Sequence, residues 1–236
     1  MGKSFFIDTT LCTACRGCQV ACKQWHALPA EKTVNRGTYQ NPADLSFDTY
    51  RLVRMGEEVI DGRLRWLFFP DQCRHCMEPF CQDMAGEPSA IFTNPSTGAV
   101  LYTANTRELD TAEIRDSCPY DIPRNAKDGT LAKCDMCNDR VENGLEPACV
   151  KVCPTGAMNF GEREDIMKLA RKRLERLKMK YPRATLLDPD HVRVIYLVGF
   201  DPNLYHGHAV ASSTGHGISR QAALRKILRP FTGFFS

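Results

Sequence analysis

The chain has 236 residues, is 43% hydrophobic and carries a formal charge of +3. That length allows one or two domains, and so small a charge makes no case for a nucleic-acid partner. Its 12 cysteines are more than average but too few for a disulfide scaffold.

The N-terminal stretch Met1 to Phe6 runs into the first cysteines without an apolar h-region, so no export signal is read there. The first cysteine group follows as Cys12-x2-Cys15-x2-Cys18-x3-Cys22. A cysteine-free insert, 31–70, then holds a predicted hairpin: one strand from Tyr50 to Arg54, a turn at Asp61-Gly62, and a second strand from Leu64 to Phe69. The middle group is Cys73-x2-Cys76-x4-Cys81, with Cys118-Pro119 far downstream. Between them a second hairpin is predicted from Ala90–Phe92 and Ala99–Tyr102, turning through Asn94 to Gly98. The last group is Cys134-x2-Cys137-x11-Cys149-x3-Cys153-Pro154.

Beyond the cysteines, Ile166, Leu169, Ala170, Leu174 and Leu177 recur at helical spacing among Lys and Arg, which predicts an amphipathic helix ending before Tyr181-Pro182. A strand is predicted at Val192 to Val198, and a short basic helix in the tail around Gln221 to Leu228. The longest apolar stretch, Val194 to Phe200, is interrupted by Gly199 and falls short of the roughly 20 residues a membrane span needs.

The spacings point to cubane iron–sulfur clusters. A short loop brings three thiolates onto three corner irons, while the fourth iron faces away and takes a remote cysteine, as in two-cluster ferredoxins. Proline stiffens the turn that carries such a remote ligand. The rule places Cys12, Cys15, Cys18 and Cys153 on cluster one, and Cys134, Cys137, Cys149 and Cys22 on cluster two. Cluster three takes Cys73, Cys76, Cys81 and Cys118. All 12 cysteines are used once, for three [4Fe–4S] clusters, which would move the formal charge to about −3. The alternative is a structural zinc-binding module, since C-x2-C pairs also hold zinc. A zinc ribbon, however, has two such pairs and not a C-x2-C-x2-C-x3-C run. Haem attachment is excluded, because no C-x2-C is followed by His. Metal binding is expected to supply much of the folding free energy.

These motifs resemble the iron–sulfur (β) subunits that accompany molybdopterin oxidoreductases of the dimethyl-sulfoxide-reductase type. The resemblance covers residues 4–165 and includes the stretch Cys118-Pro119-Tyr120-Asp121-Ile122-Pro123-Arg124. It implies an α+β fold of two ferredoxin-like halves, 1–30 with 126–162 and 71–125, joined by the β-hairpin insert 31–70 and followed by a helix–strand extension, 163–236. Family members usually carry a fourth cluster, but this chain has Ala85, Glu108, Thr111 and Ile114 where its ligands would stand. The loss is therefore of one complete ligand set. A three-cluster subunit without a membrane helix most resembles that of soluble tungsten- or molybdenum-dependent formate dehydrogenases, and Cys15 to His26 fits that subgroup.

The resemblance implies a non-catalytic role, and no nucleophile–base, nucleotide or pterin motif is visible. The expected partner is a catalytic subunit holding the pterin and one further cluster, in a heterodimer. The expected acceptor is a soluble multihaem cytochrome c. The expected location is the periplasm, reached by co-export on the partner's signal, with the cytoplasm as the alternative. The same wire could instead serve a polysulfide- or thiosulfate-type reductase.

Several further residues invite a functional reading. His75 is expected beside cluster three and not on its iron. Arg16, Lys23, Arg74 and Lys133 flank cysteines, either to raise cluster potentials or as a solvated, subunit-facing surface. Trp25 and Trp66 are expected in the core, and the His206, His208 and His216 tail against a partner.

Overall fold

A computed structural model describes residues 2–211. The basic helix expected near Gln221, and His216, lie outside the described residues.

In chain order the elements are β1 (Lys3–Asp8), α1 (Gly17–Trp25), β2 (Leu52–Ile60), β3 (Arg63–Asp71), α2 (Phe80–Ala85), β4 (Ile91–Thr93), β5 (Val100–Tyr102) and α3 (Thr111–Asp116). There follow β6 (Arg124–Asn125), β7 (Leu131–Ala132), α4 (Asn138–Glu142), α5 (Ala148–Lys151), β8 (Met158–Glu162), α6 (Arg163–Lys178), β9 (Thr185–Leu187) and β10 (Val194–Val198). The fold is mixed α+β, with one four-stranded sheet ordered β8-β1-β10-β9 and three two-stranded ones.

The main sheet joins the two ends of the described chain. Strand β1 runs parallel to β10, with Phe5 opposite Val194, and antiparallel to β8, with Phe5 opposite Phe160. Because side chains alternate along a strand, β1 and β10 feed two different cores. Phe5, Ile7, Val194, Tyr196 and Val198 face a cluster that includes Val53, Leu67 and Phe69 of the insert, together with Cys18 and Cys149. Phe6, Ile195 and Leu197 face a second cluster that contains Cys73, Cys134, Tyr120 and Ile122. Helix α6 covers that second face with Ile166, Ala170 and Leu177. Its first turn carries Glu164 and Asp165 and its last turn Arg176 and Lys178, the charge order that the helix dipole favours. All five residues of β10 are buried, which explains its unbroken apolar run.

Both hairpins form. In the insert, Ile60 pairs with Arg63, and Asp61 and Gly62 between them both have positive φ, as a two-residue hairpin loop requires. In the second hairpin, the Asn94 side chain accepts from the backbone N–H groups of Ser96 and Thr97. Gly98 closes that turn at φ 78°, and a Cβ there would run into the Arg193 guanidinium.

Two expectations need correcting. Strand β10 starts at Val194, and Val192 instead bridges to Cys76. The tryptophans are not core: Trp66 is 65% exposed and Trp25 43% exposed. Trp25 donates to Asp139 (3.0 Å) and lies under the Arg140 guanidinium. Trp66 lies beside Phe68 (ring centroids 6.5 Å) and lines a cavity with Thr9, Tyr181 and Phe200.

Candidate metal centres

Cys18, Cys22, Cys81 and Cys149 lie within short helices, Cys118 and Cys153 just after α3 and α5, and the others in loops. In three of the four C-x2-C loops, the residue just before the second cysteine has a left-handed backbone: Ala14 (φ 52°), His75 (φ 47°) and Met136 (φ 68°). In the fourth, Cys15 to Cys18, the left-handed residue is Arg16 (φ 59°), one position earlier. None of these is glycine, so each costs about 1 kcal/mol. The conformation turns backbone N–H groups inward. His75 N–H lies 3.3 Å from Cys73 Sγ, and Met136 N–H 3.4 Å from Cys134 Sγ.

All 12 cysteines are free thiols. Their electrostatics group them. The Cys12 thiol is pushed up to about 11, chiefly by burial and then by Cys18 and Cys153. Burial raises Cys149 to about 11, with Cys137 and Cys22 adding to it. Cys134 is raised by burial, Asp135, Cys22 and Cys137, and also by Cys73. Burial raises Cys76 far above its ordinary value, with Cys73, Cys118 and Cys81 contributing, and Cys118 rises to about 12 by burial, Cys81 and Cys73. Cys153 alone is lowered: amide groups of Met158, Thr155 and Ala157 and the Thr155 hydroxyl outweigh its burial. Cys15 is exposed.

Buried cysteines grouped in this way are neutral thiols without metal and become thiolates when a metal binds. Soft sulfur donors select iron–sulfur clusters or zinc, and the residues present fit the cluster chemistry inferred from the spacings.

Cations lie close by. His75 is fully buried; its Nδ1 accepts the Val100 N–H at 3.0 Å. It is held neutral by burial and by the neighbouring Lys133 and Arg193 charges. Arg74 and Lys133 are buried, not solvated. Arg74 pairs with Asp71 (2.8 Å) and lies over the rings of Phe69, Tyr120 and Tyr196. Lys133 Nζ donates to the Val100 and Cys134 carbonyls and sits over Tyr102. Lys23 donates to the Pro29 and Asp48 carbonyls, and Arg16 is exposed.

Spacing alone did not single out three other groups. Arg51 is fully buried against Cys149 and Met158. His26 pairs with Asp135 (2.9 Å), and its Nδ1 lies 2.8 Å from the Cys22 carbonyl. Despite burial, Asp135, Cys137 and Cys22 raise its pKa. An ion network, Arg74–Asp71–Arg54–Asp44–Arg124–Asp121, ties the insert to the Cys118–Arg124 stretch. His206 Nε2 lies 3.8 Å from Asp71 at the same point.

Where a fourth ligand set would stand, Ala85 and Ile114 pack into one apolar cluster with Ala90, Ile91, Val100 and Leu131. Thr111 accepts a hydrogen bond from Asn125.

This loop geometry and sulfur grouping define an iron–sulfur protein, and a 4Fe-4S dicluster domain family matches residues 64–163. Across the whole chain the similarity is narrower. The formate dehydrogenase subunit beta of Megalodesulfovibrio gigas is 57% identical over 216 residues, covering 89% of this chain and 100% of that one. The formate dehydrogenase 2 subunit beta (cytochrome c-553) of Nitratidesulfovibrio vulgaris is 49% identical, covering 89% of this chain and 99% of its own. The nitrate-inducible formate dehydrogenase iron-sulfur subunit of Escherichia coli is 37% identical, covering 85% and 70%. The chain belongs to the iron–sulfur (beta) subunits of formate dehydrogenases, non-catalytic electron-transfer subunits of that complex. Among the described residues, no helix is long and apolar enough to cross a membrane.

Proposed function

We propose that this chain passes electrons through three [4Fe–4S] clusters, held in two ferredoxin-like halves. The donor is a pterin-containing tungsten or molybdenum subunit that oxidises formate to CO2, and the acceptor is a soluble multihaem cytochrome c. Cluster one rests on Cys12, Cys15, Cys18 and Cys153, cluster two on Cys134, Cys137, Cys149 and Cys22, and cluster three on Cys73, Cys76, Cys81 and Cys118. Each cluster stores and releases one electron; the chain supplies thiolates, amide N–H groups and buried cations around it.

The observation that carries this reading is the grouping of the thiols. Cys12 feels Cys18 and Cys153, Cys149 feels Cys137 and Cys22, and Cys76 feels Cys73, Cys81 and Cys118. The apolar packing of Ala85 and Ile114 supports a count of three and not four. The influence of Cys73 on Cys134 supports a position for cluster two next to cluster three. The name of the Nitratidesulfovibrio vulgaris relative, which includes cytochrome c-553, supports the acceptor class.

Iron and sulfide analysis of the isolated chain should give about 12 of each, four per cubane; zinc in place of iron would overturn the reading. The heterodimer should reduce a soluble cytochrome c with formate. Clusters are built inside the cell, and an unfolded chain could not carry them across a membrane, so we place the heterodimer in the periplasm as a co-exported pair. Formate-dependent dye reduction should then appear in the periplasmic fraction and disappear from it when the partner's twin-arginine signal is mutated.

A further inference from the structure

Arg51 stands immediately before β2, in the seam between the insert and the first and last cysteine groups. It is only 2% exposed. Its Nη1 donates to the Gln72 side-chain oxygen and lies 3.5 Å from Cys149 Sγ, and its Nη2 lies 3.1 Å from Met158 Sδ. Its Nε is buried without a hydrogen-bond partner. Among the described residues no carboxylate forms an ion pair with it; its nearest ionisable neighbours are the Cys149 sulfur, at 3.5 Å, and the Cys18 sulfur, with which it hydrogen-bonds. Seen from the other side, Arg51 lowers the thiol pKa values of both Cys12 and Cys149.

A buried guanidinium without a counter-ion costs several kcal/mol. Arg74, equally buried, has Asp71 at 2.8 Å. Arg51 has sulfur instead, and that sulfur belongs to two different ligand sets: Cys12 and Cys18 to cluster one, Cys149 to cluster two. A thiolate-ligated cubane is net negative and becomes more so on reduction. A fixed positive charge shared by two cubanes therefore favours the reduced state of each, and most of all when the other is oxidised.

We propose that Arg51 is the positioning residue that sets the potentials of clusters one and two together, as the shared counter-charge of both, so that an electron crosses between them without a large step. The inference rests on the three-cluster assignment above.

The test uses the purified heterodimer with wild-type chain, Arg51→Gln and Arg51→Lys, each checked for iron content and followed by redox-poised EPR. In Arg51→Gln the signals of clusters one and two should move to lower potential by at least a tenfold change in the reduced-to-oxidised ratio, about 59 mV for one electron. Cluster three should stay in place, and Arg51→Lys should recover most of the shift. Unmoved potentials in a fully loaded Arg51→Gln protein would overturn the role of Arg51 alone. Iron well below the expected content in the wild type would overturn the cluster assignment, and the inference with it. If Arg51→Gln fails to load, the wild type decides. Arginine labelled with 15N in the guanidino group should give a nitrogen coupling on reduced cluster one or two that Arg51→Lys removes; absence of that coupling in the wild type would overturn the proposal.

Discussion

The region around Cys12–Cys22 and Cys134–Cys153 carries eight cysteines, and the region from Cys73 to Cys118 carries four. In the first, cysteine groups from opposite ends of the cysteine-bearing chain meet, and the space between them is closed by polar and charged side chains: Arg51, Gln72, His26 and Asp135. In the second, one group of thiols shares its volume with an apolar cluster of Ala90, Ile91, Val100, Ile114 and Leu131. The difference teaches how the space beside a thiol group can be filled by apolar packing. Side chains can organise such a space without metal, provided they bury enough apolar surface. The first region packs Cys18 and Cys149 against the main apolar core, but it carries twice as many thiols, so its integrity should depend on metal more than the second region's does.

Removing one ligand breaks that comparison most severely. Cys149→Ala should cost the loaded chain about four of its roughly 12 irons and abolish formate-driven cytochrome reduction, because cluster two would lie between the others. Cys118→Ala should lose or convert only cluster three and leave the other two EPR signals in place. Intact signals for all three clusters in Cys118→Ala would show that the ligand sets are drawn wrongly.

Next in size is the ion network at the seam between the regions. Asp71 is fully buried and bonded to Arg54 and Arg74, which hold its carboxyl below the usual range against the effect of burial. Asp71→Asn leaves two guanidinium groups with a weaker partner and should cost about 3–5 kcal/mol, read from the denaturant midpoint of the loaded chain. For a depressed carboxylate the stabilisation is present above its ordinary pKa and disappears as pH falls through the folded-state value. Acid should therefore narrow the gap between wild type and Asp71→Asn.

The apolar packing is tested by Ile114→Ala, which opens a cavity in the second region. Stability should fall by about 2–5 kcal/mol while iron content stays at the wild-type value. Loss of cluster three in this variant would mean that the apolar cluster and the thiol site are one cooperative unit.

The smallest expected effect is a pH dependence at His206. Burial lowers its pKa to about 4; Asp71 acts against this, and Arg54, Arg74 and His208 add to it. The unfolded chain takes up this proton near the ordinary pKa of about 6.5, the folded chain only near 4. Stability from this group is therefore complete above about pH 6.5 and is lost as pH falls toward 4. Between pH 6.5 and 5 the loss should be about 1–2 kcal/mol, and His206→Gln should remove that slope from the melting-temperature profile.

Much of the chain was legible before any coordinates. The Asp61-Gly62 and Asn94–Gly98 turns, the amphipathic helix α6 and the three cysteine groups are local signals, each set by neighbours within a few residues. Cysteine spacing was legible for the same reason: a loop of two residues between thiols has few conformations that aim both sulfurs at one centre. The left-handed backbones at Ala14, His75 and Met136 were not, because none is glycine and local preference runs against them; the strain is held by contacts outside the loop. The exposure of Trp25, at the end of α1, and of Trp66, on β3, is not legible in the sequence, because average burial of a residue type says nothing about where a given copy stands.

The sequence by itself determined the donors: twelve thiols and their spacing, since the type and order of donors are covalent facts. Only the tertiary structure decided what surrounds that chemistry. The parallel pairing of β1 with β10 brings together residues nearly two hundred positions apart, and it places Tyr196 beside Phe69 and Arg74. Arg51 lies far in sequence from Cys149 and well away from Cys18, and no spacing rule connects them. Such contacts are set by burial and charge compensation over the whole core, where a guanidinium is tolerated only if the folded chain supplies its counter-charge.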